Sequence, residues 1–386
     1  MSATLGKSQF RVYNGEMEAE IGARVREKLK VLQPSVTQAE MAVRLDLPPD
    51  AFSRSLSGKR AFTAVELVKL AEELKTSVHW FVTGEPDPLA VTFAGRHSYD
   101  PAVKDYVRVN WESSRQVRDD VALAYIQAYA DEPPVVSTRS WTAQEARAAL
   151  IDAGGANFVR QLANHVETAF GVGVVRVDGI EPDFALTVLG RHVIVLDASA
   201  YWFRENFSIA HELAHILLGH LSDLGEQACG NKAAERAANS FAAELLTPTA
   251  DFSSLAWATM APLDVASYVW AAGISTMAIR ARLQALKIVT GIAAQTALDE
   301  KTQVLIQREI PTLADEVSLR MQEARGRRFP EQLVSAHSNL IAAGRLGAGT
   351  LAWMLGEPLE LIRDELAPAR RPADLDWLAS ELGLDE

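Results

Sequence analysis

Two histidines four residues apart, with a glutamate between them, stand in the segment Phe207-Ser-Ile-Ala-His211-Glu212-Leu-Ala-His215-Ile-Leu-Leu-Gly219. On an α-helix positions i and i+4 share a face, so both imidazoles can be directed at one cation. Glu212 is adjacent and can reach water beside that cation without being a ligand. Zinc held in this way lowers the pKa of water to about 7, and a neighbouring carboxylate can take the proton as the water attacks a peptide carbonyl. The flanking residues are Ile, Ala and Leu, so the helix is mostly buried, and buried imidazoles need polar partners. The pattern therefore predicts a hydrolytic metal centre with His211 and His215 as ligands and Glu212 as general base.

A catalytic ion also needs a third protein ligand and an open position. Downstream lies Glu235-Arg-Ala-Ala-Asn239-Ser-Phe-Ala-Ala-Glu244-Leu-Leu-Thr-Pro248, again helical in pattern and mostly apolar. Glu235 and Asn239 share a face, whereas Glu244 points roughly opposite, so one unbroken helix cannot use both acids. At this level the two compete. Glu235 follows His215 by 20 residues, enough for a loop through Gly225–Gly230 and an antiparallel second helix. His220 falls roughly 140° around the helix from His215 and reads as a terminal residue near the last carbonyls. Cys229 reads as a small buried or loop residue. Tyr201, Arg204 and His192 precede the helix and are candidates to stabilise an oxyanion.

The elements that must position these residues come next. Val172–Val177 and His192–Leu196 are rich in β-branched residues and read as strands separated by a Gly/Pro/Asp-containing turn region. Residues 101–131, 142–150 and 156–169 read as helices, Pro133-Pro134 ending the first, and helices dominate from Phe207 onward. The expected fold class is mainly α with a small β-sheet (α+β). At the other end, Glu18–Leu32 carries Ile21, Val25, Leu29 and Leu32 on one stripe. Thr37-Gln-Ala-Glu40 and Thr63-Ala-Val-Glu66 are capping boxes that open two further helices. Between them Asp50–Leu56 is a short helix ended by Gly58. Thr37–Leu45 and Asp50–Leu56, joined by a short turn, have helix-turn-helix proportions.

The two strands followed by FSIAHELAHILLGH and ERAANSFAAELLTP resemble the ImmA/IrrE family of zinc metallopeptidases over about residues 140–250. The resemblance implies a zincin-like core in which Zn2+, with Mn2+ as the alternative ion, is held by His211, His215 and the Glu235 of an E-x-x-A-N motif. It implies Glu212 as general base, and Asn239 behind a ligand. In that family, separate peptidases cleave partner repressors and release stress or mobile-element genes. A protein substrate of repressor type follows for this chain, cleaved in trans or in cis within the linker.

Residues 18–84 resemble the Cro/repressor-like (XRE) helix-turn-helix family, with Thr37-Gln38 and Gly58-Lys59-Arg60 at its motif positions. This resemblance implies duplex DNA as partner and a homodimer on paired half-sites. Gln38, Asp50, Ser53 and Arg54 would face the major groove, and Lys59 and Arg60 would meet phosphate.

The expected division is a helix-turn-helix domain at 17–85, a linker and helical segment at 86–139, the peptidase domain at 140–250 and a helical C-terminal domain at 251–386. Within the last, residues 262–290 have a second helix-turn-helix cadence, in which Arg280, Arg282 and Lys287 read as solvated residues of packing helices. The run Ala369-Arg-Arg-Pro372 reads as a short linker. The net charge of −12 argues against whole-surface attraction to nucleic acid. From Met17 to Glu85, however, ten Lys/Arg balance ten Asp/Glu, so the remainder carries the excess. One cysteine excludes an intramolecular disulfide framework and fits a reducing compartment. With neither a signal-peptide pattern nor a long apolar run, the cytoplasm is expected and a membrane is not. A reading of another class remains open, namely a transcription factor or antitoxin-like binding protein whose zinc domain is a sensor or scaffold without proteolysis. Glu212 argues against it, because a structural zinc site needs no general base and tends to be closed by four ligands.

Overall fold

The computed structural model describes residues 5–31, 36–74, 76–84, 92–95, 98–100, 105–107, 112–132, 139–221 and 232–366. Cys229, the 225–230 loop, Pro133-Pro134 and the 369–372 run lie outside the described residues. The chain divides into two compact units, Met1–Ala90 and Val91–Glu386.

The first unit is helical: α1 (Leu5–Val31), α2 (Gln38–Arg44), α3 (Pro49–Leu56), α4 (Ala64–Glu73) and α5 (Val78–Thr83). Both expected capping boxes form, with the Thr37 and Thr63 hydroxyls accepting from the Glu40 and Glu66 amides and the two carboxylates accepting from the threonine amides in return. Pro49 sits in the first turn of α3, where no amide donor is missed. Ile21, Val25 and Leu29 of α1 pack on Met41, Phe52, Leu56, Leu70 and Phe81. Gly22 lets α1 approach α3, since a Cβ there would stand 2.4 Å from the Leu56 carbonyl oxygen.

The second unit opens with β1 (Thr92–Gly95), β2 (Ser98–Asp100) and β3 (Asp105–Val107), then α6 (Glu112–Tyr129), α7 (Ala143–Gly154) and α8 (Leu162–Phe170). There follow β4 (Gly173–Val177), β5 (Phe184–Val188), β6 (Arg191–Asp197), α9 (Trp202–Leu217) and α10 (Lys232–Leu246). The rest is helical: α11 (Thr249–Ser254), α12 (Pro262–Ala272), α13 (Thr276–Leu286), α14 (Ile292–Asp299), α15 (Thr302–Glu309), α16 (Ala314–Arg325), α17 (Glu331–Ala342), α18 (Gly349–Leu355) and α19 (Leu359–Leu366). No helix among the described residues is long and apolar enough to cross a membrane.

One sheet has the order β1-β5-β6-β4, with β4 parallel to β6 and the other pairs antiparallel. β5 falls where the sequence suggested only a turn region. The actual turn is the residue pair Leu189-Gly190, both at positive φ (52° and 72°), and it joins β5 and β6 into a tight hairpin. The helix expected from residue 101 begins at Glu112 instead, and Asp105–Val107 pairs with Ser98–Asp100. The sheet's two faces are buried separately. Val174, Ala185, Ile194 and Leu196 face a core shared with α7 to α10 that continues through Phe252, Trp257, Val269, Leu283 and Val317. Val175, Leu186, Val193 and Val195 face Val121 and Tyr125 of α6 and Phe329 and Leu333. The boundaries expected at 139/140 and 250/251 therefore both fall inside continuous apolar packing. A sheet must cover both faces, and these outlying helices supply the cover.

His337 on α17 is fully buried in the second of these layers, and its Nε2–H donates to the Ala124 carbonyl of α6 at 2.9 Å. Burial lowers its pKa below the ordinary imidazole value of 6.5. The folded chain thus binds fewer protons than the unfolded chain in the interval just below pH 6.5, and stability falls as pH falls through that interval. His337→Gln keeps a donor without the titration. Urea unfolding followed by fluorescence between pH 5 and 7.5 should show a shallower acid loss for this variant than for the parent. Identical pH profiles would mean that His337 is not held neutral.

Candidate metal centre

Helix α9 is buried on nearly every side, and His211, Glu212 and His215 are among its buried residues. It packs along α10 through small side chains, with Ala210, Ala214, Ala238 and Ala242 all 0% exposed. These alanines allow the close approach that brings an α10 side chain to the histidine face. The α9 Asn206 side chain donates to the Val159 and Gly273 carbonyls at 3.0 and 2.8 Å, which ties the helix to the 3-10 turn at Phe158–Gln161 and to the end of α12.

The result is a compact donor cluster. His211 Nε2 and His215 Nε2 are 3.2 Å apart, Glu235 Oε2 is 3.4 Å from His211 Nε2, and Glu235 Oε1 is 3.7 Å from His215 Nε2. A tetrahedral ion with bonds of about 2.0–2.1 Å sets neighbouring donors about 3.3–3.4 Å apart. The separations match that requirement. Among the described residues this is the one His/Cys/Asp/Glu group arranged to hold a metal ion, with its ligand atoms all within 4.8 Å of one another.

The tautomers are set from behind. Asn239 Oδ1 lies 3.1 Å from His211 Nδ1. An amide oxygen only accepts, so His211 carries its proton on Nδ1 and offers a lone pair from Nε2. His220 Nδ1 lies 3.1 Å from His215 Nδ1. When His215 Nδ1–H donates to His220, the His215 Nε2 lone pair is likewise left for the ion. Burial lowers the His220 pKa, Glu235 opposing and His211 adding to the shift. The His220 amide donates to the His215 carbonyl at 2.8 Å, as its place at the helix end suggested, while its ring lies on His215 Nδ1. Leu218 ends the helix and Gly219 turns the chain at φ 71°, which folds the His220 ring back onto His215. The glycine was the readable signal, since a left-handed residue just past a helix end reverses the chain.

Glu212 is 1% exposed and lies about 100° around the helix from His211 and about 60° from His215, on the flank of the ligand face. Glu244 is elsewhere. Its carboxylate accepts from Arg282 at 2.6 Å and from the Thr249 amide and hydroxyl, an arrangement that pins the end of α10. Arg204 stands two turns before His211, about 10 Å along the axis, with exposed Tyr201 further out. His192 is hydrogen-bonded to Thr187 Oγ1 at 2.8 Å across the β5–β6 hairpin, and burial lowers its pKa.

In the N-terminal unit, Gln38, Asp50, Ser53, Arg54 and Lys59 are exposed on α2, α3 and the turn after it. Arg54 pairs with Asp50 one helical turn away at 3.2 Å. Arg60 differs from its expected place on phosphate. Its guanidinium binds Glu66 through both nitrogens, at 2.6 and 2.9 Å, and Ser55 Oγ at 2.8 Å. Glu66 is buried, and the Arg60 hydrogen bond, acting against burial, lowers its pKa. The cation answers a buried carboxylate and so belongs to the module's own packing. On α13, Arg282 is held by Glu244 in a largely buried pair, whereas Arg280 pairs with Asp299 at the exposed surface.

The Peptidase M78 family model, described as an IrrE N-terminal-like domain, matches residues 167–284. That span runs from the end of α8 to α13 and contains the three donors, Glu212 and Asn239. The match supports the ImmA/IrrE resemblance and marks a metallopeptidase-like domain of the IrrE type. Among curated proteins and among solved structures, nothing matches the chain.

Metal content separates the two acids of α10. Glu235→Ala should lose most of its bound metal by plasma mass spectrometry, while Glu244→Ala should retain it near the parent level. Asn239→Ala and His220→Ala should each weaken metal affinity by about 10–100-fold in a chelator competition, since each removes the group that fixes a ligand's tautomer. Retention in the Glu235 variant equal to that of the Glu244 variant would place the third ligand elsewhere.

Proposed function

We propose that this chain is a zinc-dependent endopeptidase joined to a DNA-binding module, and that it acts as a regulator by cleaving a repressor-type protein or its own linker. The observation that supports the peptidase reading most strongly is the set of three buried donors at tetrahedral spacing, with a carboxylate on the next helical position. A bound ion supplies Lewis acidity, drawing the pKa of water toward about 7 and polarising a peptide carbonyl. The chain's own residues do the rest. His211, His215 and Glu235 fix the centre, Asn239 and His220 orient the imidazoles, and Glu212 accepts the proton of the attacking water. The same carboxylic acid then returns that proton to the departing amine, which balances the hydrolysis. A purely structural zinc site has no use for a carboxylate so placed, which favours catalysis over a sensor or scaffold.

For the first unit we propose duplex DNA as partner, bound by a homodimer with α3 in the major groove. The support is the exposed row on α2 and α3, from Gln38 to Arg54, and exposed Lys59 just beyond. Arg60 is assigned a different part, holding the loop after α3 through Glu66.

Glu212 should separate binding from chemistry. Glu212→Gln should keep near-stoichiometric zinc yet lose about 10²–10⁴-fold in cleavage rate, the usual contribution of a general base. His211→Ala should lose zinc and cleavage together. Comparing cellular proteomes of the parent and Glu212→Gln for a cleaved repressor supplies the substrate; unchanged cleavage by Glu212→Gln would exclude this mechanism.

On the DNA side, the full chain is titrated against duplexes selected from a random pool. Arg54→Ala should weaken specific binding by about 1–3 kcal/mol if Arg54 reads a base. Lys59→Ala should lower the slope of log affinity against log salt by about one unit. Arg60→Ala should instead lower the melting temperature of the N-terminal unit. No sequence preference in the selection would remove the DNA reading.

A further inference from the structure

A cleft opens where the sheet hands over to the ligand helix. Asp183 stands just before β5, Leu196 and Asp197 end β6, and Arg204, Glu205 and Ser208 belong to the first two turns of α9. The charges around it are answered unevenly. Glu205 is paired with Arg176, whose Nε donates to it at 3.0 Å. Among the described residues, Asp183 and Asp197 form no ion pair, and neither does Arg204. Asp183 is 7% exposed, and its Oδ1 accepts from the Asp197 amide at 2.9 Å. Asp197 Oδ1 accepts in turn from the Gly179 amide at 3.1 Å. Backbone bonds thus fix both carboxylates in place without neutralising them. Burial pushes the Asp197 carboxyl above its ordinary range, Asp183 adding to the shift while the Gly179 amide and Arg204 oppose it. Arg204 is therefore close enough to be felt, yet it stands across the cleft with its own charge unpaired.

Ser208 points to a guest independently of these charges. It is 2% exposed, and among the described residues its hydroxyl has no hydrogen-bond partner. A serine inside a helix can return its hydroxyl to the carbonyl one turn back, as Ser267 and Ser318 do in this chain. Ser208 instead borders the cleft. A buried hydroxyl left alone is costly, so something in the cleft is needed to meet it. Arg204, Ser208 and Glu212 follow one another at four-residue intervals, so the cleft lies on the stripe of α9 that continues to the metal centre.

The guest must answer both signs. A plain cation would satisfy the aspartates and leave Arg204 alone, and a plain anion would do the reverse. Calcium takes about six to eight oxygens, more than two anchored aspartates and two serine hydroxyls supply. We propose that this cleft binds a small zwitterion, a free α-amino acid with little or no side chain. Its ammonium is held by Asp183, Asp197 and Ser208, three acceptors for three donors. Its carboxylate takes the guanidinium of exposed Arg204 at the mouth, a match that permits two parallel hydrogen bonds. Ser199 adds a hydroxyl to the wall, and Leu196 gives a short side chain an apolar surface. Occupancy ties the first turns of α9 to the start of β5 and the end of β6. A free amino acid is thereby sensed by the helix that carries His211 and His215, whether or not that helix serves a peptidase.

Isothermal titration of the full zinc-loaded chain at neutral pH tests the proposal. Glycine is compared with N-acetylglycine, which lacks the ammonium, and with glycinamide, which lacks the carboxylate. Glycine should bind at millimolar concentration, and each blocked form at least about tenfold more weakly, the worth of one charge-assisted hydrogen bond. Arg204→Gln should bring glycine down to the level of glycinamide. Ser208→Ala, which removes a single atom, should weaken glycine binding while zinc content and circular dichroism stay those of the parent. In hydrogen exchange, glycine should protect the Asn206 and Phe207 amides. Glycine also chelates zinc, so the titration is repeated on metal-free chain whose fold circular dichroism has confirmed, and binding should persist. Loss of binding with the zinc would assign the glycine to the metal centre and overturn the inference. Glycinamide binding as tight as glycine would mark a plain cation site and overturn it too. So would glycine binding unchanged by Arg204→Gln and Ser208→Ala, or no binding by the folded parent.

Discussion

Two imidazoles and a carboxylate brought within 4.8 Å of one another inside an apolar core place a demand on everything around them. Uncompensated, such groups would be costly to bury, and their donors at 3.2–3.7 Å spacing make physical sense around a shared cation. The surrounding fold keeps that spacing. Alanines on α9 and α10 set the distance between the helices, Asn206 ties α9 to the end of α12, and the Glu244–Arg282 pair anchors the far end of α10. Behind the cluster, Asn239 holds the proton on His211 Nδ1, and His220 stands 3.1 Å from His215 Nδ1, so that both Nε2 atoms can be offered to an ion.

The sheet gives α9 its floor, and its construction has consequences beyond support. Because both faces are buried, α6 and the helices after residue 251 belong to the same packed body as the metal centre. The Arg328 network fastens the β4 edge through backbone and side chain together, whereas a short antiparallel strand covers β5.

Much of the centre was legible before the fold was known, because helical periodicity carries the relation between His211, Glu212 and His215 directly. The choice between Glu235 and Glu244 was not settled by phase alone. It depends on which face α10 turns toward α9, a tertiary fact that only packing decides. His220 does meet a terminal carbonyl as expected, but the contact of its ring with His215 was missed because a rotation angle assumes that the helix continues, and Gly219 ends it. β5 was missed because its five residues lie between Gly179 and Gly190, where turn-forming residues mask a short strand that gains its stability from two neighbours. The capping boxes at Thr37 and Thr63 were readable because they are local, whereas the capture of Arg60 by Glu66 depends on the burial of that glutamate, a property of the assembled module.

The central claim is that one ion is held by two imidazoles and a carboxylate. X-ray absorption at the zinc edge of the zinc-loaded full chain tests it directly. The account predicts one zinc per chain, with a first shell of nitrogen and oxygen at about 2.0–2.2 Å and the multiple-scattering pattern of two imidazole rings. A sulfur shell at about 2.3 Å, or a spectrum without two imidazoles, would contradict it.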